Sequence, residues 1–332
     1  MEFEREYRER CAKRGLDEAA ADEAVRVVEE FGATLGDAES SLAGATPAEV
    51  ERAMAERVAA GWGAAELVAV ARWYMAAGLD AVSIRLLAYM LPIGVLPDHA
   101  KRLETLHGAE VRNRVMERVT VPPEGAPPES YPAATAAFVK ALEAELGPEN
   151  ARQVLAWNVH GIPAAAWAEE RERFLTAPSI AAWLAAWHDR QVAVLQRHAD
   201  SGELWYEQRI TQAVVDWVRD NPEIQGGVVE GNRITRQKIP YDPERFLKST
   251  DPLERRRLAC HCPLAASSIT ETGAGVPAAW CACSAGYDKF PFDIVFGVET
   301  EAVVLESALS GSERCRFAIT IPESVLALKP AF

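Results

Sequence analysis

Ala302-Val303-Val304-Leu305-Glu306-Ser307-Ala308-Leu309, Ser310-Gly311-Ser312-Glu313 and Cys315-Arg316-Phe317-Ala318-Ile319-Thr320-Ile321 follow one another near the end of the chain. The first and last of these runs have few polar interruptions, and the residues between them have the composition of a hairpin turn. Each run therefore predicts a strand with one face against helices. Residues 292–296 have the same character and predict a further strand. Earlier, Gly226-Gly227-Val228-Val229-Glu230-Gly231-Asn232 reads as short strands joined by a tight turn. Asp251-Pro252-Leu253-Glu254 starts a helix between the two strand regions. Residues 223–332 are thus expected to form an α+β, cysteine-rich domain with helices packed on an antiparallel sheet.

Upstream of Asn221-Pro222-Glu223 the pattern is helical. Residues 17–31 carry apolar side chains at helical spacing. Thr46-Pro47-Ala48-Glu49 combines an N-cap, a first-turn proline and the glutamate of a capping box, opening a helix to about Ala60. Residues 67–77 and 81–89 continue in the same way. Val121-Pro122-Pro123-Glu124-Gly125-Ala126-Pro127-Pro128 then supports neither helix nor sheet interior. The expected organisation is a helical domain over 1–120, a Pro-rich linker over 121–132, a helical segment over 133–222 and the α+β domain. Helices are expected at 133–146, 149–157, 164–174, 179–198 and 204–219. Trp157, Trp167, Trp183, Trp187, Trp205 and Trp217 read as filling of their core.

At 332 residues, 49% hydrophobic and 25% charged, the chain can bury a core without disulfides or metal. Its net charge of −14 repels nucleic acid unless a local basic patch reverses the field. Arg255-Arg256-Arg257 reads as a solvated helix face rather than such a patch. The charged start, Met1-Glu2-Phe3-Glu4-Arg5-Glu6, lacks the apolar stretch of a signal peptide. The most apolar region, 67–96, is broken by Arg72, Asp80 and Arg85, short of the ~20 apolar residues of a membrane span. The expected partner is a small molecule, not nucleic acid or membrane, and the expected location is the cytoplasm, where cysteines stay reduced.

Five of the six cysteines fall between Cys260 and Cys315. Cys260-His261-Cys262-Pro263 precedes Cys281-Ala282-Cys283 by eighteen intervening residues, and Cys315 lies on an expected strand. The loop length resembles that of paired-cysteine zinc sites, but those use two residues between thiolates so that both reach one tetrahedral ion. In an extended C-x-C the two side chains point to opposite faces. Three readings stay open. The thiols pack as small hydrophobes, or Cys260, Cys262, Cys281 and Cys283 hold a metal, zinc first and an iron–sulfur centre second, or Cys262 or Cys283 is a reactive thiol. His261 is a candidate base or a hydrogen-bonded structural group. Lys289 and Asp293, with Cys315, are candidates for holding a polar substrate. Lysine is scarce beside arginine, which draws notice to Lys238, at the head of the stiff connector Lys238-Ile239-Pro240-Tyr241-Asp242-Pro243. Trp157-Asn158-Val159-His160-Gly161-Ile162-Pro163 either lines a pocket or ends a helix.

Cys260-His261-Cys262-Pro263, Cys281-Ala282-Cys283-Ser284-Ala285-Gly286-Tyr287 and the segment from Gly311 to Phe317 together resemble an uncharacterised bacterial family related to the L-2-amino-thiazoline-4-carboxylic acid hydrolases. The last element is also similar to 4-vinyl-reductase-type small-molecule-binding domains. The resemblance covers roughly residues 230–325. It implies a pocket for a small organic molecule on an α+β domain and hydrolysis or elimination at a C–N or C–S bond, with Cys262, Cys283 and Cys315 at that group's cysteine positions. Cys260 and Cys281 are additional and favour a thiolate-rich metal site. The expected function is a small-molecule hydrolase or lyase. The alternative is a non-enzymatic small-molecule or metal sensor.

Overall fold

The computed structural model of the chain describes residues 2–35, 42–159 and 161–332. His160, named in the pocket-lining stretch above, lies outside the described residues. The fold is α+β, with helices through the N-terminal two-thirds and an antiparallel sheet with packed helices after them. Two compact units divide the chain: Met1–Ile93 with Val121–Tyr131, and Gly94–Thr120 with Pro132–Phe332.

The first unit holds α1 (Glu4–Lys13), α2 (Glu18–Thr34), α3 (Pro47–Ala59), α4 (Ala64–Ala76) and α5 (Asp80–Met90). The Thr46 capping box forms, with the Thr46 N–H donating to Glu49 Oε2 at 2.8 Å. Helix α4 is central: Leu67, Val70, Trp73 and Tyr74 are fully buried, and the carbonyl of Ala69 accepts from the Tyr7 hydroxyl at 3.0 Å. Cys11, the cysteine outside the C-terminal group, is buried in this core. The Pro-rich segment read as a linker packs here through buried Ala126 and Pro128. Gly125 (φ +76°) is needed where a Cβ would meet Leu67 Cδ1 at 2.6 Å and Val58 Cγ2 at 2.7 Å. The stretch Asp80–His107 has the length and apolarity to cross a membrane, its most apolar window having mean hydropathy 1.4 with 39% of it buried. A turn at residues 91–94, ending at Gly94 (φ +79°), interrupts it.

The second unit continues with α6 (Val95–His107), α7 (Ala109–Met116), α8 (Tyr131–Leu155, broken at Gly147), α9 (Ala168–Thr176), α10 (Ile180–Ser201) and α11 (Gln212–Arg219). Then come β1 (Val228–Glu230), β2 (Arg233–Gln237), α12 (Pro243–Lys248), α13 (Pro252–Ala259), β3 (Ile269–Thr270), β4 (Gly273–Ala274), α14 (Ala282–Phe296), β5 (Ala302–Glu306), β6 (Arg316–Thr320) and α15 (Glu323–Leu328). Strands β1-β2-β6-β5 form one antiparallel sheet in that order. Its register pairs Ile234 with Ile319, Arg236 with Phe317 and Gln237 with Arg316. Because side chains alternate along a strand, Ile234 and Arg236 share a face with Phe317 and Ile319. That face packs under Trp183 and Trp187 of α10 and Phe292 and Val295 of α14. Of the tryptophans read as core, Trp183 and Trp187 are buried, whereas Trp157, Trp167, Trp205 and Trp217 are partly exposed.

Three expectations need correction. Residues 292–296 are the last turns of α14, not a strand: Ala282, Ala285, Lys289 and Phe292 are buried at helical spacing, and Gly297 (φ +73°) ends the helix. Residues 204–219 are helical only over Gln212–Arg219; ahead of it Trp205 and Gln208 close a tight turn with Tyr206 at φ +55°. Arg255-Arg256-Arg257 is not a solvated face. Arg256 is buried and donates to the carbonyls of Thr270, Gly273 and Ala308, Arg257 to that of Ile269, and Arg255 to Glu313 and the Phe246 carbonyl.

Candidate functional site

Lys238 and Cys315 stand one step beyond the last pair of the β2–β6 ladder, and the Lys238 N–H donates to the Cys315 carbonyl at 2.9 Å. Alternation places them on the helix-covered face, in line with Arg236 and Phe317. Helix α14 runs along this row in matching register. Ser284, Asp288 and Phe292, spaced by four and so on one helix face, meet β2 in turn: Lys238 Nζ donates to Ser284 Oγ at 3.2 Å, Arg236 Nη1 lies 3.3 Å from Asp288 Oδ1, and Arg236 Cζ lies 5.2 Å from the Phe292 ring centre. Gly286 makes the approach of α14 to the end of α8 feasible. A Cβ there would meet Trp157 N at 2.1 Å and the Ala156 carbonyl carbon at 2.4 Å.

Cysteines arrive at this end of the sheet from three segments. Asp251 caps α13 by accepting from the Leu253 N–H, Pro252 fills its first turn, and the chain leaves the helix extended at Cys260. Pro263 has no N–H, and the amides of Ala265 and Ala266 turn back onto the Cys262 carbonyl at 3.1 and 2.8 Å. Trp280 donates its indole N–H to Cys262 Sγ at 3.2 Å. That indole is held by buried His99 and Phe138, with ring centres at 5.3 and 6.5 Å. Pro277 opens the 3₁₀ turn Ala278–Cys281 that carries Trp280 into α14 and delivers Cys281 and Cys283. After β5, Ser307 caps a second 3₁₀ turn by accepting from the Ser310 N–H at 3.2 Å, and the Ser307 hydroxyl and the Ala308 backbone oppose the rise of Cys281 and Cys315 in turn. Arg256 fixes this turn through the Ala308 carbonyl.

Neighbouring thiols add to the effect of burial at Cys260, Cys281 and Cys283. Burial, then Cys262, Cys315 and Cys281, pushes Cys260 well above the ordinary thiol range. Burial raises Cys281 to about 12, against the Ser307 hydrogen bond. Cys283 rises through burial and the neighbouring Cys262, and Cys315 through burial. Cys262 is also raised by burial, but the Trp280 indole, the Leu264 and Ala265 amides and the Lys238 ammonium all oppose that rise. Lys238 acts likewise on Cys281, Cys283 and Cys315. Cys260 and Cys283 are buried, while Cys262, Cys281 and Cys315 keep partial access to solvent.

The remaining sequence candidates have other partners. His261 Nε2 lies 2.6 Å from the Ile239 carbonyl, which can only accept, so Nε2 carries the proton. Burial, and then Lys238, pushes this imidazole down to about 3. Lys289 is buried and pairs with Asp293 at 2.6 Å, while Asp293 also accepts from the N–H and hydroxyl of Thr300, both at 2.7 Å. This pair fastens α14 to the segment leading into β5. Asn158 donates to the Ile162 carbonyl at 3.0 Å, closing the turn after α8. An open cavity of about 280 Å³ is lined by Asn221, Pro222, Glu223, Gln237, Arg314 and Arg316. Gln237 and Arg316 alternate with Lys238 and Cys315, so it opens on the opposite face of the sheet. Among the described residues, no three His, Cys, Asp or Glu side chains are gathered as a metal shell.

Trp280, Ser284 and Ser307 were not singled out by sequence. The signal available was the position of Trp280 directly before Cys281. Residues 251–326 match a family of unknown function (DUF6144), a span that holds all five cysteines and leaves Lys238 outside. No curated protein and no solved structure matches the chain.

Proposed function

We propose that the chain is a thiol enzyme acting on a small organic molecule in a reducing compartment such as the cytoplasm, a hydrolase or lyase that breaks a C–N or C–S bond with Cys262 as nucleophile. The observation that carries this reading is the Trp280 indole N–H, which donates to the Cys262 sulfur at 3.2 Å. Donors aimed at a sulfur favour its charged form, and the thiolate is the nucleophile. The Cys262 sulfur adds to the electrophilic carbon, the thiol proton passes to the departing nitrogen or sulfur, and water then cleaves the covalent intermediate and restores the thiol. Buried Cys283 neighbours the nucleophile, and His261 anchors the Cys260–Cys262 segment to the Ile239 carbonyl. Limited iodoacetamide at neutral pH, with peptide mapping, tests this. Cys262 should be alkylated first, and Cys262→Ser should remove the fast phase while preserving the fold. Uniformly slow modification of all five thiols would overturn the reading.

A second reading keeps Cys260, Cys262, Cys281 and Cys283 as a soft donor set for zinc or, next, an iron–sulfur centre, in an enzyme or a sensor; the four would have to draw together around the ion, since no three are gathered as a shell among the described residues. Such a protein would carry stoichiometric metal after purification and lose it on Cys283→Ala. Metal-free protein with one fast thiol would exclude it.

A further inference from the structure

We infer that Cys262 and Cys283 are a dithiol–disulfide pair, so that the chain reduces a hydroperoxide at Cys262 and closes a disulfide to Cys283 that a small dithiol reopens. This is an activity beyond the hydrolytic reading and shares one sulfur with it. A hydrolase or lyase needs a single nucleophilic thiol, whereas cysteines reach this end of the sheet from three segments, all of them free thiols. Two adjacent residues, Lys238 and Ile239, hold the three segments. The Ile239 carbonyl lies 2.6 Å from His261 Nε2, between Cys260 and Cys262 in the chain. The Lys238 N–H donates to the Cys315 carbonyl at 2.9 Å, and Lys238 Nζ donates to Ser284 Oγ, next to Cys283, at 3.2 Å.

Cys283 is bracketed from its other side by Trp280, whose indole N–H reaches Cys262 Sγ at 3.2 Å. The 3₁₀ turn Ala278–Cys281 runs directly into α14, and residues three apart in such a run share one face. Cys283 therefore stands one turn after Trp280, on the face that Trp280 presents to Cys262. Among the thiols, Cys262 acts first on Cys283, whereas Cys315 acts first on Cys281. Exposure divides the roles: Cys262 keeps partial access to solvent and can meet a peroxide, while Cys283 is buried beside it.

The Cys262 sulfur attacks one peroxide oxygen as the O–O bond breaks. The sulfur is oxidised to a sulfenic acid, the peroxide takes up the two electrons, and the thiol proton leaves with the other oxygen as water or an alcohol. The Cys283 sulfur then displaces that hydroxyl: the S–S bond forms as the S–O bond breaks, and the Cys283 proton departs on water. An external dithiol returns two electrons and two protons, becoming a disulfide itself as both thiols are restored.

The test treats the full chain, reduced and freed of reductant, with limiting hydrogen peroxide at neutral pH. Remaining thiols are blocked with N-ethylmaleimide and the peptides are mapped without reduction. Cleavage at Glu271 separates Cys260 and Cys262 from Cys281 and Cys283. One intramolecular disulfide, Cys262 to Cys283, should join the two peptides, and dithiothreitol should restore both thiols. The bond should also form in Cys260→Ser/Cys281→Ser. A resolving thiol at this range acts at high effective concentration, so dimedone should label Cys262 about tenfold more in Cys283→Ser than in wild type. A wild-type map without the Cys262–Cys283 bond would overturn the inference, and it decides the matter should Cys283→Ser not fold. Equal dimedone labelling in the two chains would overturn it as well. Fast alkylation of Cys262 without the disulfide would do so while leaving the nucleophile in place. The disulfide together with uniformly slow alkylation would support the inference and remove the hydrolytic reading alone.

Discussion

At the scale of single residues, Cys262 is distinguished less by its own environment than by what is aimed at it. All five sulfurs are raised by burial, yet Cys262 accepts an indole N–H at 3.2 Å beside the Lys238 charge. Trp280→Phe keeps the ring between His99 and Phe138 and removes one donor. A hydrogen bond of this kind contributes roughly 1 kcal/mol, so Cys262 alkylation should slow by about fivefold at neutral pH. The midpoint of its pH profile should move upward, and an unchanged profile would show that the indole does not stabilise the thiolate. The cysteines themselves were legible in the sequence. What singles out Cys262 was not, because its indole contact depends on the packing around Trp280.

At the scale of elements, the site depends on one register, α14 against β2. Ser284–Lys238 and Asp288–Arg236 are successive rungs of it, and Gly286 permits the close crossing of α8. Gly286→Ala places a methyl group into the backbone at Ala156–Trp157, which cannot yield cheaply. We expect a loss of about 2 kcal/mol or more in urea unfolding, with slower alkylation of Cys262 as α14 is displaced. Unaltered stability would mean that the crossing is looser than described. Strands β5 and β6 were legible because both are short apolar runs flanking a turn. Residues 292–296 misled because a buried helix end and a buried strand share composition, and the helical spacing shows only when the window reaches back to Ala282. Residues 255–257 misled for a different reason: three arginines read as solvated, whereas backbone carbonyls of the β3–β4 hairpin and the Ser307 turn take up Arg256 and Arg257, and Glu313 pairs with Arg255.

At the scale of the whole molecule, the division into a helical part and an α+β part was readable from pattern alone, while the convergence of distant cysteines was not, since it follows from strand order β1-β2-β6-β5. The burial of His261 has a consequence for acid stability. His261 is held near 3 in the folded chain, below its ordinary 6.5, so the unfolded chain takes up a proton that the native state refuses. Its contribution is therefore full above about pH 6.5 and is lost as pH falls toward 3, with a slope of at most ~1.4 kcal/mol per pH unit. His261→Gln retains a donor for the Ile239 carbonyl and should flatten the decline in urea midpoint between pH 6.5 and 4. An identical decline in the variant would mean that the imidazole titrates freely. The most direct measurement concerns the thiol assembly as a whole. The bifunctional thiol reagent dibromobimane, applied to the native chain and followed by peptide mapping, should bridge Cys262 to Cys281 or Cys283 across the two segments, and urea should abolish the bridge. Modification confined to single, unbridged cysteines in the native chain would contradict the placement of these sulfurs around one centre.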